Sequence, residues 1–328
     1  MPKPPPVRAT VSALVDAAAA APSMHNAQPW QFQYDTATGT LRLTVDTDRV
    51  MPAADPDLRA VHLGCGAALF NLRVAAAHAD WFPRVRLVPD PADPTLLAAV
   101  DFAAAGPVDE GLEELSPAIR QRHMSRWPFA AKEIPGSARS ALGDAADREG
   151  ARLWFAGQWH ANLLQDLVRD AEGRDGSDPE RRADVERWTR RGDEADASHD
   201  GVPEYAFGPR ARSGAAPMRD FAGRHPVSGP GTAAFEDEPN LALLGTAGDG
   251  PTDWLRAGQA MERVLLVATV HGLAASVTSH ALEWPDLRGL ARDPLSDLGR
   301  VQMVIRLGYG PMGPVTPRRP LGEILSFV

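Results

Sequence analysis

Residues 64–80 and 256–272 superimpose at a constant offset of 192 positions. Gly66 falls on Gly258, Ala68 on Ala260, Leu69 on Met261, Leu72 on Val264, Val74 on Leu266 and Ala76 on Ala268. Both stretches read as apolar helices, and a short strand follows each. Apolar helices look alike, so one matched helix is compatible with coincidence. The shared helix–strand order favours duplication. A duplicated chain of this kind is α+β: two tandem halves forming a pseudo-two-fold dimer within one polypeptide.

The rest of the pattern can be placed around that repeat. A helix is predicted over 10–20, with Thr10 as N-cap and Pro22 near its end. Strands 31–34 and 41–45 pair, a long apolar helix covers 58–79, and a short strand covers 85–88 before a turn-rich connector at 89–94. The opening MPKPPPVR reads as a frayed, proline-stiffened arm. The second half begins near Leu112, which divides the chain into 1–110 and 111–328. In that half, helices are expected over 137–150, 161–169 and 253–272, and strands over 153–155, 241–245, 274–278 and 301–307.

Between about 171 and 239 the periodicity disappears. Residues 171–200 carry ten acidic and six basic side chains, and Gly and Pro follow in quantity. Such a stretch is either a solvated, partly disordered insertion or a lid over a site. Trp188, Tyr205 and Phe207 are the aromatics in it that could cover a flat ligand.

Several chemistries are excluded. A single cysteine, Cys65, rules out a disulfide framework and a four-cysteine zinc site, and the nine histidines lack metal-ligand spacing. Lys3 and Lys132 are the only lysines, so any anion site must use Arg or backbone N–H groups. A net charge of −9 argues against nucleic acid or an anionic membrane as partner. No apolar run approaches the ~18 residues of a membrane span. Asp16 interrupts the N-terminal apolar run, so no signal peptide is expected and a cytoplasmic location is. Gly308-Tyr-Gly-Pro-Met-Gly313 matches G-x-G-x-x-G, but its prolines oppose the helix that a dinucleotide site requires. Neither a G-x-S-x-G elbow nor H-E-x-x-H is present.

The stretch Ala21-Pro-Ser-Met-His-Asn-Ala-Gln-Pro-Trp30 ends one helix and enters a strand. Its short polar groups can bond the donor and acceptor edges of a heterocycle, or can form a local Asx or Ser turn with no ligand. Arg122-His-Met-Ser-Arg126 places two guanidinium forks close together, suited to phosphate or to a solvated surface.

The first stretch resembles the A/S-P-S-x-x-N-x-Q-P-W signature of the nitroreductase superfamily, and the second is similar to that family's R-x-S-x-R/K-x-F signature. The resemblance implies one bound FMN. Pro22, Ser23, Met24 and Asn26 would contact it, with Gln28, Pro29 and Trp30 shaping the loop. Arg122 and Arg126 would hold the phosphate. Met124 stands at the hydroxyl position, which leaves Ser125 one place late. Gly272–His280 resembles the family's strand beside the flavin ring and would set Val277, Thr278, Ser279 and His280 there. Thr316–Leu321 resembles its C-terminal basic pair, giving Arg318 and Arg319 to the phosphate.

The DGVP at 200–203, DWLRAGQAMERVLL at 253–266 and RLGYG at 306–310 resemble the Acg branch of that superfamily nearly end to end. The implied protein is a fused nitroreductase with a lid and one complete site, and a monomer is possible. Its expected function is FMN-dependent electron transfer from NAD(P)H to an acceptor such as a nitroaromatic or quinone. The alternative is an FMN store whose lid occludes the flavin. No catalytic side chain is expected, because the cofactor carries the chemistry.

Overall fold

The computed structural model of the chain describes residues 5–107, 109–213, 219–221, 231–294 and 296–328. The first half runs α1 (Arg8–Ala19), β1 (Trp30–Asp35), β2 (Thr40–Val45), α2 (Arg59–His78), β3 (Phe82–Leu87) and β4 (Leu96–Ala103). After the short α3 (Ser116–Gln121), α4 (Gly136–Arg148) and β5 (Arg152–Phe155) open the second half. There follow α5 (Gln158–Ser177), α6 (Pro179–Arg187), β6 (Thr189–Arg190), α7 (Asp193–Ala197), β7 (Val202–Pro203), β8 (Arg210–Ser213) and β9 (Thr232–Ala234). The chain closes with β10 (Asn240–Thr246), α8 (Pro251–Val270), β11 (Ala274–Thr278), α9 (Pro285–Leu290), β12 (Arg300–Gly308), α10 (Leu321–Ile324) and β13 (Leu325–Phe327).

Set aside the segment between β5 and β10 and the short α9, and the halves have one topology. Each reads helix, strand, strand, long helix, strand, strand. The first sheet is ordered β13-β1-β2-β4-β3 and the second β11-β12-β10-β5, so β1, β2, β4 and β3 correspond to β5, β10, β12 and β11. Every corresponding pair is antiparallel. Only β13 breaks the match: the tail crosses from the second half and lies parallel to β1, with Leu325 opposite Phe32 and Phe327 opposite Tyr34.

The repeated helices α2 and α8 cross at the centre, and their matched glycines lie at the crossing. A Cβ on Gly66 would stand 2.4 Å from the Leu255 carbonyl oxygen, and one on Gly258 would stand 2.1 Å from that of Leu63. Leu63 and Leu255 are themselves separated by the repeat offset, so the contact is reciprocal about the pseudo-two-fold. A side chain at either glycine would push the backbones apart. The core that surrounds the crossing unites α1, α2, α4 and α8 with one face of both sheets. The helix Arg59–His78 is long and apolar enough to cross a membrane by length and composition, but most of it is buried inside the protein.

Some expectations shift. The first helix starts at Arg8 with Val7 at the N-cap and no capping side chain, rather than at Thr10. It begins as soon as the proline run ends, since the remaining residues tolerate helical backbone. Residues 1–4 of the expected N-terminal arm lie outside the described residues. Beyond them, the Pro6 carbonyl accepts the Tyr34 hydroxyl at 2.9 Å, which holds that part of the arm against the first sheet. Strand β4, which the sequence pattern did not reveal, opens with an unbroken apolar run, Leu96–Val100, in the middle of a sheet rather than an alternating pattern. Among the described residues of 171–239 the chain is more ordered than its composition suggests: α5 continues to Ser177, and Asp178 caps α6 by accepting from the Glu180 and Arg181 amides. The glycines of Gly308–Gly313 open no helix. Gly308 and Gly310 make room for the Phe129 ring, and Gly313 for the Met124 carbonyl.

The linkers between corresponding elements differ sharply. α1 reaches β1 through residues 20–29, the whole of the signature loop, whereas α4 reaches β5 through 149–151 alone.

Candidate functional site

The signature loop is held in a shape that ordinary residues adopt reluctantly. His25, Asn26 and Gln28 all take positive φ, at 48°, 55° and 54°. Left-handed backbone at non-glycine residues persists only where surroundings over-determine it. Here they do. The Gln28 amide donates to Ser23 Oγ at 2.9 Å, closing the loop on itself. Asn26 Nδ2 donates to the carbonyls of Gly201 and Pro317, and its Oδ1 accepts from Arg318. Gln28 Nε2 donates to His199 O while its Oε1 accepts from the Arg319 amide. The loop is thus tied to both the insertion and the tail. Gly64 lets it lie on α2, since a Cβ there would approach Ser23 Cβ to 3.2 Å.

Below the loop is a cavity with about 860 Å³ of empty space, part of it open to solvent. Pro22, Ser23, Met24 and His25 form one side of it, and Ser276–His280 another. The latter continue β11, an edge strand whose outer side is available to a ligand beyond Ala275. At Ala275 that side is taken, because the Ser125 amide donates to its carbonyl and Met124 bridges to it. This bridge brings the 122–126 segment to the site. Leu63, Met124, Met261 and Met303 supply apolar lining, and Arg219 and Phe221 come from the insertion.

The four arginines and Ser125 expected around the phosphate therefore separate. Arg126 lines the cavity, donates to the Ala206 carbonyl at 2.8 Å and stacks its guanidinium 4.8 Å above the Phe221 ring. No carboxylate pairs with it among the described residues, and burial alone pushes its pKa down to about 10, so it stays cationic at neutral pH. Arg122 turns inward. Its Nη2 donates to the Ala20 carbonyl at 2.7 Å and its Nε lies 3.3 Å from Oε1 of the buried Glu262. Arg318 converges on the same Ala20 carbonyl at 3.0 Å. Burial and then the neighbouring Arg122 push its pKa down to about 9, with Glu262 opposing them. Ser125 is fully buried, its Oγ accepting from the Trp127 amide. Arg319 faces away, ion-paired to Asp46 at 3.1 Å and to Glu323. Of the residues singled out from the sequence, Pro22, Ser23, Met24, Arg126, Val277, Thr278, Ser279 and His280 meet at the cavity. Asn26, Arg122, Ser125, Arg318 and Arg319 lie behind it as braces.

The aromatics expected to cover a ligand do something else. Trp188 is buried beside Met51 and Ala54, under the Arg49, Arg187 and Arg190 guanidinium groups. Tyr205 is half-exposed and reaches Val315 O. Phe207 stacks behind Phe221, their centroids 6.1 Å apart. Phe221 itself meets the cavity, edge-on to His25 at 5.2 Å. Burial, then the cations Arg219 and Arg126, hold His25 well below the usual histidine range, so its ring is neutral.

A carboxylate cluster anchors this roof. Arg219 pairs with Asp175 at 3.2 Å and with Glu283 at 2.7 Å. His280 Nε2 lies 2.8 Å from Asp175, Ser279 Oγ donates to Glu283, and Arg181 bridges both acids. Neither Arg219 nor Phe221 carries a sequence signal, because the insertion has no repeat or periodicity to place them.

Comparison with known proteins decides the family. The chain is 31% identical over 324 residues to the Mycobacterium tuberculosis H37Rv protein named "Putative NAD(P)H nitroreductase acg", covering 96% of this chain and 94% of that one. It belongs to the Acg family. An uncharacterized protein of the same organism, Rv3127, is 31% identical over 94% of this chain and 90% of its own length. A third relative there, named as a nitroreductase of the same kind, Rv3131, is 30% identical over 97% of this chain and 91% of itself. No family model matches the chain. A solved nitroreductase-type structure from Anabaena variabilis covers 92% of this chain and 88% of its own, at a TM-score of 0.49 and 12% identity. For this Acg-family chain, the cavity between the signature loop and β11 is the candidate site.

Proposed function

We propose that this cavity binds one FMN per chain and that electrons pass from NAD(P)H through it to a small acceptor such as a nitroaromatic or quinone. The observation that carries the reading is Arg126: a guanidinium lining a largely apolar cavity, with a carbonyl and a ring for partners and, among the described residues, no carboxylate. A half-buried, unneutralised cation lining a cavity calls for an anion. The remaining lining suits the rest of the group. The outer edge of β11 offers backbone donors and acceptors to a pyrimidine edge, and Leu63, Met261 and Met303 offer apolar surface to the ring. The relatives named as NAD(P)H nitroreductases support this assignment.

FMN, when bound, supplies the hydride- and electron-transfer chemistry. The chain binds and orients. Arg126 answers the phosphate charge, the braced loop from Pro22 to His25 holds one side, and the roof of Arg219 and Phe221 limits access of water and substrate. The neutral His25 adds no further positive charge beside Arg126.

A second reading is favoured by the roof. The ion pairs from Arg219 to Asp175 and Glu283 hold the insertion across the cavity. A roof that stays shut makes the protein an FMN store with no turnover. The test is to mix purified protein with FMN, remove the excess, and add NADH or NADPH without oxygen. Retained yellow colour that bleaches supports the oxidoreductase. Colour that persists supports storage, and protein that retains no flavin sinks both.

A further inference from the structure

The pseudo-two-fold leaves one sheet a strand short. In the first half the outer edge of β1 is covered by β13. The corresponding edge in the second half belongs to β5, and among the described residues no strand covers it. Backbone register shows which groups are left over. The Ala156 amide donates to the Leu241 carbonyl, and β5 pairs Trp154 with Leu243 and Arg152 with Gly245. In an antiparallel ladder, bonding residues alternate. Arg152, Trp154 and Ala156 therefore face β10, and the N–H and C=O groups of Leu153 and Phe155 face outward. Among the described residues none of these four groups has a partner. Beside them are two of the larger exposed apolar side chains, Trp154 at 40% exposure and Trp159 at 68%.

We propose that this edge pairs with the same edge of a second copy of the chain, joining the two second-half sheets across a true two-fold axis. The register follows from the free groups. Antiparallel pairing of Leu153 with Phe155 of the copy forms two reciprocal pairs of backbone bonds and leaves no outward group of either strand unmet. The same register sets the two Trp154 residues directly opposite in a non-hydrogen-bonded site, where Cα atoms approach to about 4.5 Å and aromatic pairs stabilise a sheet. It places no two arginines face to face, because Arg152 lies beyond the paired residues. An open edge flanked by tryptophan is otherwise a template for indiscriminate pairing, and a closed two-fold contact removes it.

The experiment is sedimentation of the full chain at about 100 µM, a concentration at which association with a Kd of about 10 µM is visible. The expected result is a dimer for the parent chain. Trp154→Glu, which sets two carboxylates face to face at an exposed position, weakens it at least tenfold, and so does Leu153→Pro, which removes an outward N–H without touching the ladder to β10. Mixing Trp154→Glu with Trp154→Arg restores a dimer that neither forms alone. A monomeric parent chain overturns the proposal, as does a dimer indifferent to both substitutions or a mixture that fails to associate.

Discussion

Gly66 and Gly258 hold each other's place at the crossing of the two repeated helices. Each lacks the Cβ that would collide with the other's helix, at 2.4 Å from a carbonyl oxygen on one side and 2.1 Å on the other. The colliding atoms are backbone, which cannot rotate away. Gly66→Ala and Gly258→Ala are each expected to destabilise the chain by about 1–3 kcal/mol, the usual result of overpacking. Because both substitutions open the same crossing, the double variant should cost less than their sum. Thermal or denaturant unfolding of the three variants checks this.

Three of the arginines marked by the sequence are expected to differ in their effect on FMN. Arg126→Ala should weaken FMN binding by about 10–100-fold, the range for loss of a charge-assisted contact. Arg319→Ala should leave it within about threefold, since its guanidinium serves Asp46 and Glu323. Arg122→Ala should act chiefly on folding, by stranding the buried Glu262. Titrations followed by flavin fluorescence, with unfolding measured alongside, separate these outcomes. Equal losses for Arg126 and Arg319 would place the phosphate elsewhere.

Arg219 is the fastening of the roof. Arg219→Ala removes both of its carboxylate contacts while leaving Arg181 and His280 to stabilise Asp175 and Glu283. The FMN-loaded variant should bleach with NADPH at least about tenfold faster than the parent chain if the roof limits access, a change of about 1.4 kcal/mol in barrier. It should also be cleaved faster by protease within the insertion. An unchanged bleaching rate alongside faster cleavage would show that the roof opens without governing reduction.

Asp249, which does not line the cavity, provides a pH test. Burial pushes its carboxyl up, but bonds from Arg288, Trp254 and Gln302 outweigh burial and hold it at about 2, against an ordinary 3.8. A depressed carboxyl stabilises the fold above its unfolded pKa and loses that contribution as pH falls from about 4 to about 2. Asp249→Asn should therefore be less stable than the parent by about 1–2 kcal/mol at pH 7, allowing for its partial exposure. The gap should shrink through that window and close below it, as measured by unfolding across pH.

The sequence made the repeat legible because α2 and α8 are buried on nearly all sides, which forces small and apolar residues to recur in step. The signature loop was legible for the opposite reason: its positive-φ backbone and its many hydrogen bonds demand particular short polar residues. Strand β4 gave no alternation, because its first five residues, Leu96–Val100, are all apolar. The site was harder to resolve. The spacing of Arg122 and Arg126 could not show that one turns toward Ala20 and Glu262 while the other enters the cavity, because that depends on the bridge from Met124 to Ala275. Arg219 and Phe221 reach the cavity through an insertion whose path is set by ion pairs to Asp175 and Glu283, and those pairs leave no periodic trace.

The unequal linkers, ten residues from α1 to β1 and three from α4 to β5, bear on how the protein can respond to its ligand. A homodimer with two identical loops can let one occupied site alter the other. Here the second loop has been reduced to Glu149-Gly150-Ala151, and Glu149 is occupied with Arg73 and Arg263. On the proposed reading of one FMN per chain, nothing within the chain is left to cooperate with. The expected saturation curve is then hyperbolic, and any sigmoidal response would have to arise between chains, through a contact such as the open edge of β5.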